Sequence, residues 1–495
     1  MHAIKMPIYQ TEQIRQFERL ASERFAVTGD TLMQRAGRAA TDYLQRRWPH
    51  AKKIVVFCGN GNNGGDGYVL AEQAQLRGLQ VTVLQVGKTN PTREECQHAL
   101  LACQNAGVTI EPFSVTMDLH HTDLVVDAIC GIGLKEDLRR DVVSAIEKME
   151  HIQVPIFAMD VPTGIDADTG NVMGAAVHAA ATMTFIGLKL GLLTGSGIAH
   201  TGEVICNDLQ LPAELFESVN PVAETLQLNS YLSYLKPRAR DWHKGLSGHV
   251  LIIGGDVGYS GAPRMAAEAA LRVGAGLVTV LTHPAHAATL NIGRPEIMCR
   301  GIIRAEELQD FFAKAQAIVL GVGLGQSDWS QMIWNAVIGT ELPLVVDADG
   351  LNLLAKSPRQ SSNWILTPHP GEAARLLGIS TQAIQQNRLA AIKQLAERYQ
   401  GVSVLKGSGS FVLAKGTMPV LCDKGNPGMA TAGTGDVLSG VIGGLLGQRI
   451  PLAKAAKLGV CLHAMAGDLS AKEGERGMIA TDLMPYLRRL ANTTG

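Results

Sequence analysis

The chain has 495 residues, 46% hydrophobic and 18% charged, which is globular composition and excludes a disordered or fibrous chain. Lys plus Arg number 44 and Asp plus Glu 45, a net of −1, so no global positive field recruits nucleic acid or anionic lipid. Length predicts two large α/β domains or about three smaller ones. Glycine, 54 residues in all, gathers in short loops after apolar runs, where phosphate-binding backbones are found. The eight cysteines form no C-x-x-C pair, and several, such as Cys58 and Cys130, sit in apolar runs. This predicts reduced, buried, structural thiols and a reducing compartment. No signal-peptide pattern opens the chain and no apolar stretch reads as a membrane span, so the expected location is the cytoplasm.

Thr11–Phe25 and Asp30–Arg47 read as helices, with Thr11 and Asp30 as N-caps. Strands then alternate with helical patterns: KIVVFCG (53–59), VTVLQVG (81–87), LVVDAICG (124–131) and VPIFAMDVPTG (154–164). The helices between them run through Arg77, Thr92–Asn105 and Asp141–Met149. These runs are apolar throughout, which predicts parallel strands buried on both faces and a doubly wound, Rossmann-like α/β sheet. Leu211–Arg240 holds three prolines and no strong strand, and reads as a linker with the boundary near Glu224. A second α/β series follows: HVLIIGGD (249–256), GLVTVLT (276–282), AIVLGVG (317–323), PLVVDADG (343–350), NWILTPHPG (363–371), VSVLKGSG (402–409) and SFVLAK (410–415). Helical patterns at Gly433–Gln448, Pro451–Ala471 and Thr481–Ala491 close the chain. The halves share no sequence period, so residues 1–224 and 225–495 are expected to be two different domains.

In the first half, GNGNNGGDG (59–67) runs from a strand straight into a helix. Glycine allows backbone amides to approach an anion at a helix N-terminus, although a bare G-x-G is as often a tight turn. The loop is neither a Walker loop nor a good G-x-G-x-x-G. DAICGIGLKED (127–137) and MDVPTGIDADTG (159–170) also lie at strand carboxyl ends, which converge on one crevice in an open parallel sheet. Asn63, Asp127, Asp160 and Thr163 would meet there, a hard-oxygen set suited to an alkali or alkaline-earth cation.

These three motifs together resemble the YjeF N-terminal family, over roughly residues 10–215. The resemblance implies an NAD(P)HX epimerase, which interconverts the R and S forms of hydrated NADH or NADPH at C6 of the reduced nicotinamide ring and binds potassium. Carried over, Asn62, Asn63, Gly64, Gly65 and Asp66 would hold the dinucleotide. Gly131, Ile132, Gly133, Leu134, Lys135, Glu136 and Asp137 would do so from the second loop. Asp160 would contact the ring, and Asn63, Asp127 and Thr163 would reach potassium. Epimerisation needs loss and re-addition of the C6 hydroxyl, or ring opening, so an acid/base group is required. Asp160 is the candidate and Lys189 the second, with a solvated lysine as the alternative for the latter.

In the second half, NPGMATAGTGDVLSGVIGGLLGQ (426–448) places a glycine turn directly before an apolar helix. The N–H groups of Ala432–Gly435 can form an anion hole at the positive helix end. Asp436 stands in the first turn, placed to take a proton from a substrate hydroxyl; helix capping is its alternative role. This segment resembles the ribokinase-like superfamily and, within it, the YjeF C-terminal family. GGDVGYSGAP (254–263), GVGLG (321–325), VDADGLN (346–352), TPHPGE (367–372) and VLKGSGS (404–410) support it in order. The resemblance implies an ADP- or ATP-dependent NAD(P)H-hydrate dehydratase, ADP-dependent in bacteria. Such an enzyme phosphorylates the C6 hydroxyl of S-NAD(P)HX and then eliminates phosphate. It also implies that Lys406, Gly407, Ser408, Gly409, Ser410 and Gly435 bind the adenine nucleotide. Ala262, Gly323, His369 and Asp436 would face the hydrated dinucleotide, with Glu372 and Asp347 as water-mediated magnesium partners.

The expected partners are therefore NADHX, NADPHX and ADP, and the resemblance favours a homo-oligomer. Two other readings stand beside this one. A ribokinase-class small-molecule kinase could carry an accessory N-terminal domain. Alternatively, the first half could be a scaffold of the kind found in some RNA-decapping proteins. A scaffold should have lost the Asn63/Asp127/Asp160 set, which is intact here.

Overall fold

The computed structural model describes residues 6–91 and 93–492. Two compact units divide the chain, one covering Met6–Ala223 and the other running from Glu224 onward.

The first unit is built on a parallel seven-stranded sheet. A short edge piece, β1 (Pro7–Tyr9), pairs elsewhere in this unit with β8 (Leu188–Lys189). The main strands are β2 (Lys53–Cys58), β3 (Gln80–Gln85), β4 (Thr109–Pro112), β5 (Leu124–Ala128), β6 (Ile156–Met159), β7 (Ala181–Phe185) and β9 (Glu203–Asn207). Their order is β4-β3-β2-β5-β6-β7-β9. The direction of winding reverses between β2 and β5, and ligands of open α/β sheets bind at such a switch point. Val55, Phe57 and Val125 face one apolar layer while Ile54, Val56 and Val126 face another, which is why these strands are apolar on both sides.

The second unit carries β11 (His249–Ile253), β12 (Leu277–Thr282), β13 (Met298–Gly301), β14 (Ala317–Leu320), β15 (Leu344–Val346), β16 (Trp364–Leu366), β17 (Val402–Leu405), β18 (Ser410–Ala414) and β19 (Val420–Cys422). Their order is β13-β12-β11-β14-β15-β16-β17-β18-β19. All are parallel except β18, which runs antiparallel to both neighbours. VSVLKGSG and SFVLAK are thus two arms of a hairpin around Gly407–Gly409. Helix Thr434–Gly447 packs against helix Gly261–Arg272 at very short range: a Cβ on Gly440 would lie 2.0 Å from the Ala266 carbonyl oxygen.

Several sequence expectations need correction. Thr11 is not an N-cap but the first helical residue; Gln10 occupies the cap position, and Thr11 N–H donates to Asp168. Thr28, not Asp30, caps the next helix, its hydroxyl accepting from Thr31 N–H. The Thr92–Asn105 helix spans Glu94–Asn105, and Thr92 lies outside the described residues. The 211–240 stretch is not free of strand: β10 (Ala223–Thr225) pairs through Glu224 and Thr225 with Val420 and Leu421, and Leu228–Tyr234 forms a 3₁₀ helix. All eight thiols are free, yet three are only half-buried: Cys130 in the loop after β5, Cys206 on β9 and Cys299 on β13, both edge strands.

Candidate functional site

Two sites emerge, each at the carboxyl ends of strands within its own unit. In the first unit the loop after β2 enters helix Asn62–Leu76. A Cβ on Gly64 would lie 2.0 Å from the Gly59 carbonyl oxygen, so only glycine lets the helix start this close to the strand end. The N–H groups of Asn62, Asn63 and Gly64 make no hydrogen bond among the described residues, because the carbonyls four residues before them lie ahead of the helix; the first such bond runs from Gly65 to Gly61. They open onto a cleft of about 950 Å³ whose wall includes Asn62, Asn63, Asp66, the whole Gly131–Asp137 loop, Asp160 and Lys189. Gly64 and Gly65 shape the turn from behind.

Asp160 stands immediately after β6 in a left-handed backbone conformation, φ 64°. This uncommon conformation orients its carboxylate at two surroundings at once. Oδ1 accepts from Lys189 Nζ at 2.6 Å and from Thr184 at 3.3 Å, and Oδ2 accepts from Ile132 N–H at 3.3 Å. Lys189 is only 1% exposed and also donates to the Phe185 carbonyl, so the solvated-lysine alternative is excluded. Glu18 and Asp66 line the same cleft, and burial together with Asp160 raises both carboxyls.

Asp127 does not face the cleft openly. It is fully buried in β5, where Oδ2 accepts from Thr163 N–H at 2.7 Å and Oδ1 from the Thr163 hydroxyl at 2.6 Å. Burial pushes its carboxyl up to about 6 against those hydrogen bonds. The Thr163 oxygen in turn accepts from Cys130 N–H, next to Gly131. A Cβ on Gly131 would lie 2.8 Å from Asp160 Oδ2 and 3.5 Å from Asn63 Cβ, so Asn63, Asp160 and the Gly131 loop meet. Both polar side-chain atoms of buried Asn63 lack a partner.

In the second unit, five strand ends supply the site. Asp347 follows β15, is 1% exposed, and accepts from Lys406 Nζ at 2.8 Å and from Ser439 Oγ at 2.7 Å. Lys406 follows β17, and its ammonium also lies 3.8 Å from Glu372 Oε2. Burial opposes the Lys406 charge, but Asp347 and Glu372 outweigh it and raise the group. His369 caps helix Pro370–Leu377: its Nδ1 accepts from Gly371 N–H, and its own N–H donates to Glu372 at 2.7 Å. Burial, then Lys406, lowers the His369 imidazole.

The glycine turn reaches this cluster. A Cβ on Gly435 would lie 3.3 Å from Lys406 Nζ. The N–H groups of Ala432 through Asp436 make no hydrogen bond among the described residues. Half-buried His463 holds the turn from below, its Nε2 donating to the Thr434 carbonyl at 2.9 Å. Burial pushes Asp436 up to about 7; Asp347 adds to this and Lys406 opposes it. Ala262 and Gly323 also meet, since a Cβ on Gly323 would lie 3.0 Å from Ala262 Cβ. The Lys406–Ser410 loop turns over the guanidinium of Arg388, which is 2% exposed and donates to the carbonyls of Leu405, Lys406 and Gly409.

Ser439, His463, Arg388, Glu18 and Thr184 were not foreseen. Ser439 left a trace, a hydroxyl three residues after Asp436 in an otherwise apolar helix. The others reach their partners across long sequence separations that no local pattern records.

A doubly wound unit with a dinucleotide-sized cleft, joined in one chain to a unit whose glycine turn faces a Lys–Asp–Glu cluster, defines a two-site nucleotide enzyme. Residues 29–191 match the family described as YjeF-related protein N-terminus, and residues 250–489 the family described as NAD(P)H-hydrate dehydratase. The chain is 48% identical to a bifunctional NAD(P)H-hydrate repair enzyme of Coxiella burnetii, covering 98% of this chain and 99% of that one. It is 42% identical to that of Escherichia coli, over 99% of this chain and 95% of the relative. Among solved structures it is similar to an ADP/ATP-dependent NAD(P)H-hydrate dehydratase from Bacillus subtilis, with 27% identity, a TM-score of 0.49, and coverage of 54% of this chain and 96% of that one. The chain belongs to the family of bifunctional NAD(P)H-hydrate repair enzymes.

Proposed function

We propose that the first unit interconverts R- and S-NAD(P)HX and that the second dehydrates the S form at the expense of ADP, giving NAD(P)H, AMP and phosphate. The observation that carries the second half is Asp436, a carboxyl held at about 7 beside five unpartnered amides. A general base works best with a pKa near the operating pH. In this reading Asp436 takes the proton of the C6 hydroxyl as its oxygen bonds to the terminal phosphorus of ADP, and AMP leaves. The C6–O bond then breaks with phosphate as the leaving group, C5 loses a proton to water, and the C5–C6 double bond of the dihydropyridine ring re-forms. Hydroxide would be a far poorer leaving group. The turn amides and Lys406 would hold the phosphates, and the Gly407–Ser410 loop the nucleotide.

Magnesium fits this site. Asp347, Glu372 and Asp436 are three carboxyls facing a single ammonium, an excess of negative charge that a divalent ion would offset when polyphosphate enters. Asp347 and Glu372 would hold it through water, and its chemistry there would be charge neutralisation on the transferring phosphoryl group. Potassium fits the first unit, where the buried Asn63 carbonyl oxygen has no partner and Asn63 meets Gly131, whose neighbour Cys130 donates to Thr163 of the Asp127–Thr163 pair. Asn63, Asp127 and Thr163 would hold that ion and fix the Gly131 loop. In that unit Asp160, paired with Lys189, supplies the acid/base group for the C6 centre. The oligomeric state proposed from the resemblance is more than one copy. Among the described residues no helix is long and apolar enough to cross a membrane.

Epimerisation of the R form in potassium and in a large organic cation tests the ion. The rate should fall in the organic cation, and Asp127→Ala should lose the difference. Equal wild-type rates in both would remove potassium from the account.

A further inference from the structure

A cavity of about 1190 Å³ lies away from the Asp436 turn, within the unit that starts at Glu224. Helices Gly261–Arg272 and Thr434–Gly447 carry Ala262 and the catalytic turn at their N-terminal ends and reach this cavity at their C-terminal ends, through Arg272, Gly274, Gln448 and Arg449. Fourteen helical residues span about 20 Å, so the cavity and the Asp436 turn are separate places.

Six cationic side chains line it: Lys236, Arg238, Arg272, Arg294, Arg449 and Arg488. Only two carboxylates do, Glu268 and Glu296. Part of this basic lining has structural work. Arg272 and Arg294 both pair with Glu268, at 3.0 and 2.8 Å, and Arg238 donates to the Gly274 carbonyl and to Gln448. Cations near helix C-termini are also ordinary complements to the helix dipole. Lys236, Arg449 and Arg488 are left over: all three are exposed and form no ion pair among the described residues. Two aromatic rings stand in the same wall, Trp242 at 43% and Tyr234 at 37% exposure. The Trp242 indole is pinned by donating to Ser247 Oγ at 2.7 Å, with the Arg238 guanidinium 5.9 Å from its centroid. Unpaired cations beside a fixed, half-open indole are the pieces that recognise phosphate and a base together: guanidinium and ammonium groups for the charge, ring faces for stacking.

We propose that this cavity is a second ligand site, distinct from the catalytic one, for a nucleoside phosphate: an aromatic base on Trp242 or Tyr234 and phosphate on Lys236, Arg449 and Arg488. It depends on none of the catalytic assignments above.

The test uses the full chain labelled with 5-fluorotryptophan. Its five tryptophans give five fluorine resonances, and Trp242→Phe identifies the one that matters. Titration with ADP, with NADPH and with pyrophosphate should shift the Trp242 resonance saturably for at least one nucleotide, and more weakly for pyrophosphate. The Lys236→Glu/Arg488→Glu double variant should weaken that binding at least tenfold while keeping basal dehydratase turnover, because neither residue lies near Asp436. No saturable Trp242 shift with any of the three at millimolar concentration would overturn the proposal. An unchanged shift in the double variant would also overturn it, as a response relayed from elsewhere. Pyrophosphate binding as tightly as the nucleotides would refute the role given to the rings.

Discussion

Asp436 has the carboxylates of Asp347, Asp349 and Glu372 around it and one ammonium, Lys406, opposing them. Burial and that like charge favour its protonated form, and the base is active only when ionised. Turnover of S-NAD(P)HX with ADP should therefore rise with pH through about 7 and level off above it. Asp436→Asn keeps the shape of the side chain but cannot accept the proton. A positioned base is worth ~10²–10⁴ in rate, so kcat should fall by about that factor and the limb near neutral pH should vanish. A variant that keeps near-normal turnover would return Asp436 to helix capping. Lys189 allows a different kind of prediction. It and Asp160 form a buried pair at 2.6 Å, and removing one partner of such a pair leaves an uncompensated charge. Lys189→Met should cost about 3–5 kcal/mol in urea unfolding of the first unit. A loss below 1 kcal/mol, on the order of an exposed pair, would mean the lysine finds water.

Among the elements, helix Thr434–Gly447 ties the glycine turn before Asp436 to the core. Its glycines let it lie against Gly261–Arg272, and Gly440 has only 2.0 Å between an added Cβ and the Ala266 oxygen. Gly440→Ala forces the two helices apart. Overpacking of this kind costs about 1–3 kcal/mol, and the turn amides should move with the helix, lowering kcat more than nucleotide affinity. Unfolding and steady-state kinetics on one preparation check both parts; unchanged kcat would mean the turn is held independently of this helix contact, by His463 and the Thr434 hydroxyl. The elements also show what a sequence discloses. Buried parallel strands such as LVVDA and AIVLG read directly, because burial on both faces leaves a continuous apolar run. The strands Thr109–Pro112 and Met298–Gly301 did not, since they lie at sheet edges and are half-exposed. The Gly–Asp turn and the three amino-terminal loops stood out because glycines and aspartates cluster there at strand ends and helix starts. The pairings that hold them, Asp160 to Lys189 and Asp347 to Lys406, join residues 29 and 59 positions apart. Only the folded chain brings those groups together.

The whole molecule combines two units, each with its own apolar layers. A piece starting at Pro221, which retains β10 against Val420 and Leu421, should fold alone and dehydrate the S form. An insoluble or inert piece, with nucleotide and magnesium supplied, would contradict the independence of the second unit. The central claim is that one chain performs two reactions with separate residues. It is tested most directly by giving a mixed sample of R- and S-NADHX, with ADP, magnesium and potassium, to the wild type, Asp160→Asn and Asp436→Asn, and recording absorbance at 340 nm. The account predicts complete recovery of NADH by the wild type. Asp160→Asn should recover the S portion quickly and the R portion only at the spontaneous rate, and Asp436→Asn should recover neither at an appreciable rate. Rapid full recovery by Asp436→Asn, or equal loss of both portions in Asp160→Asn, would contradict it.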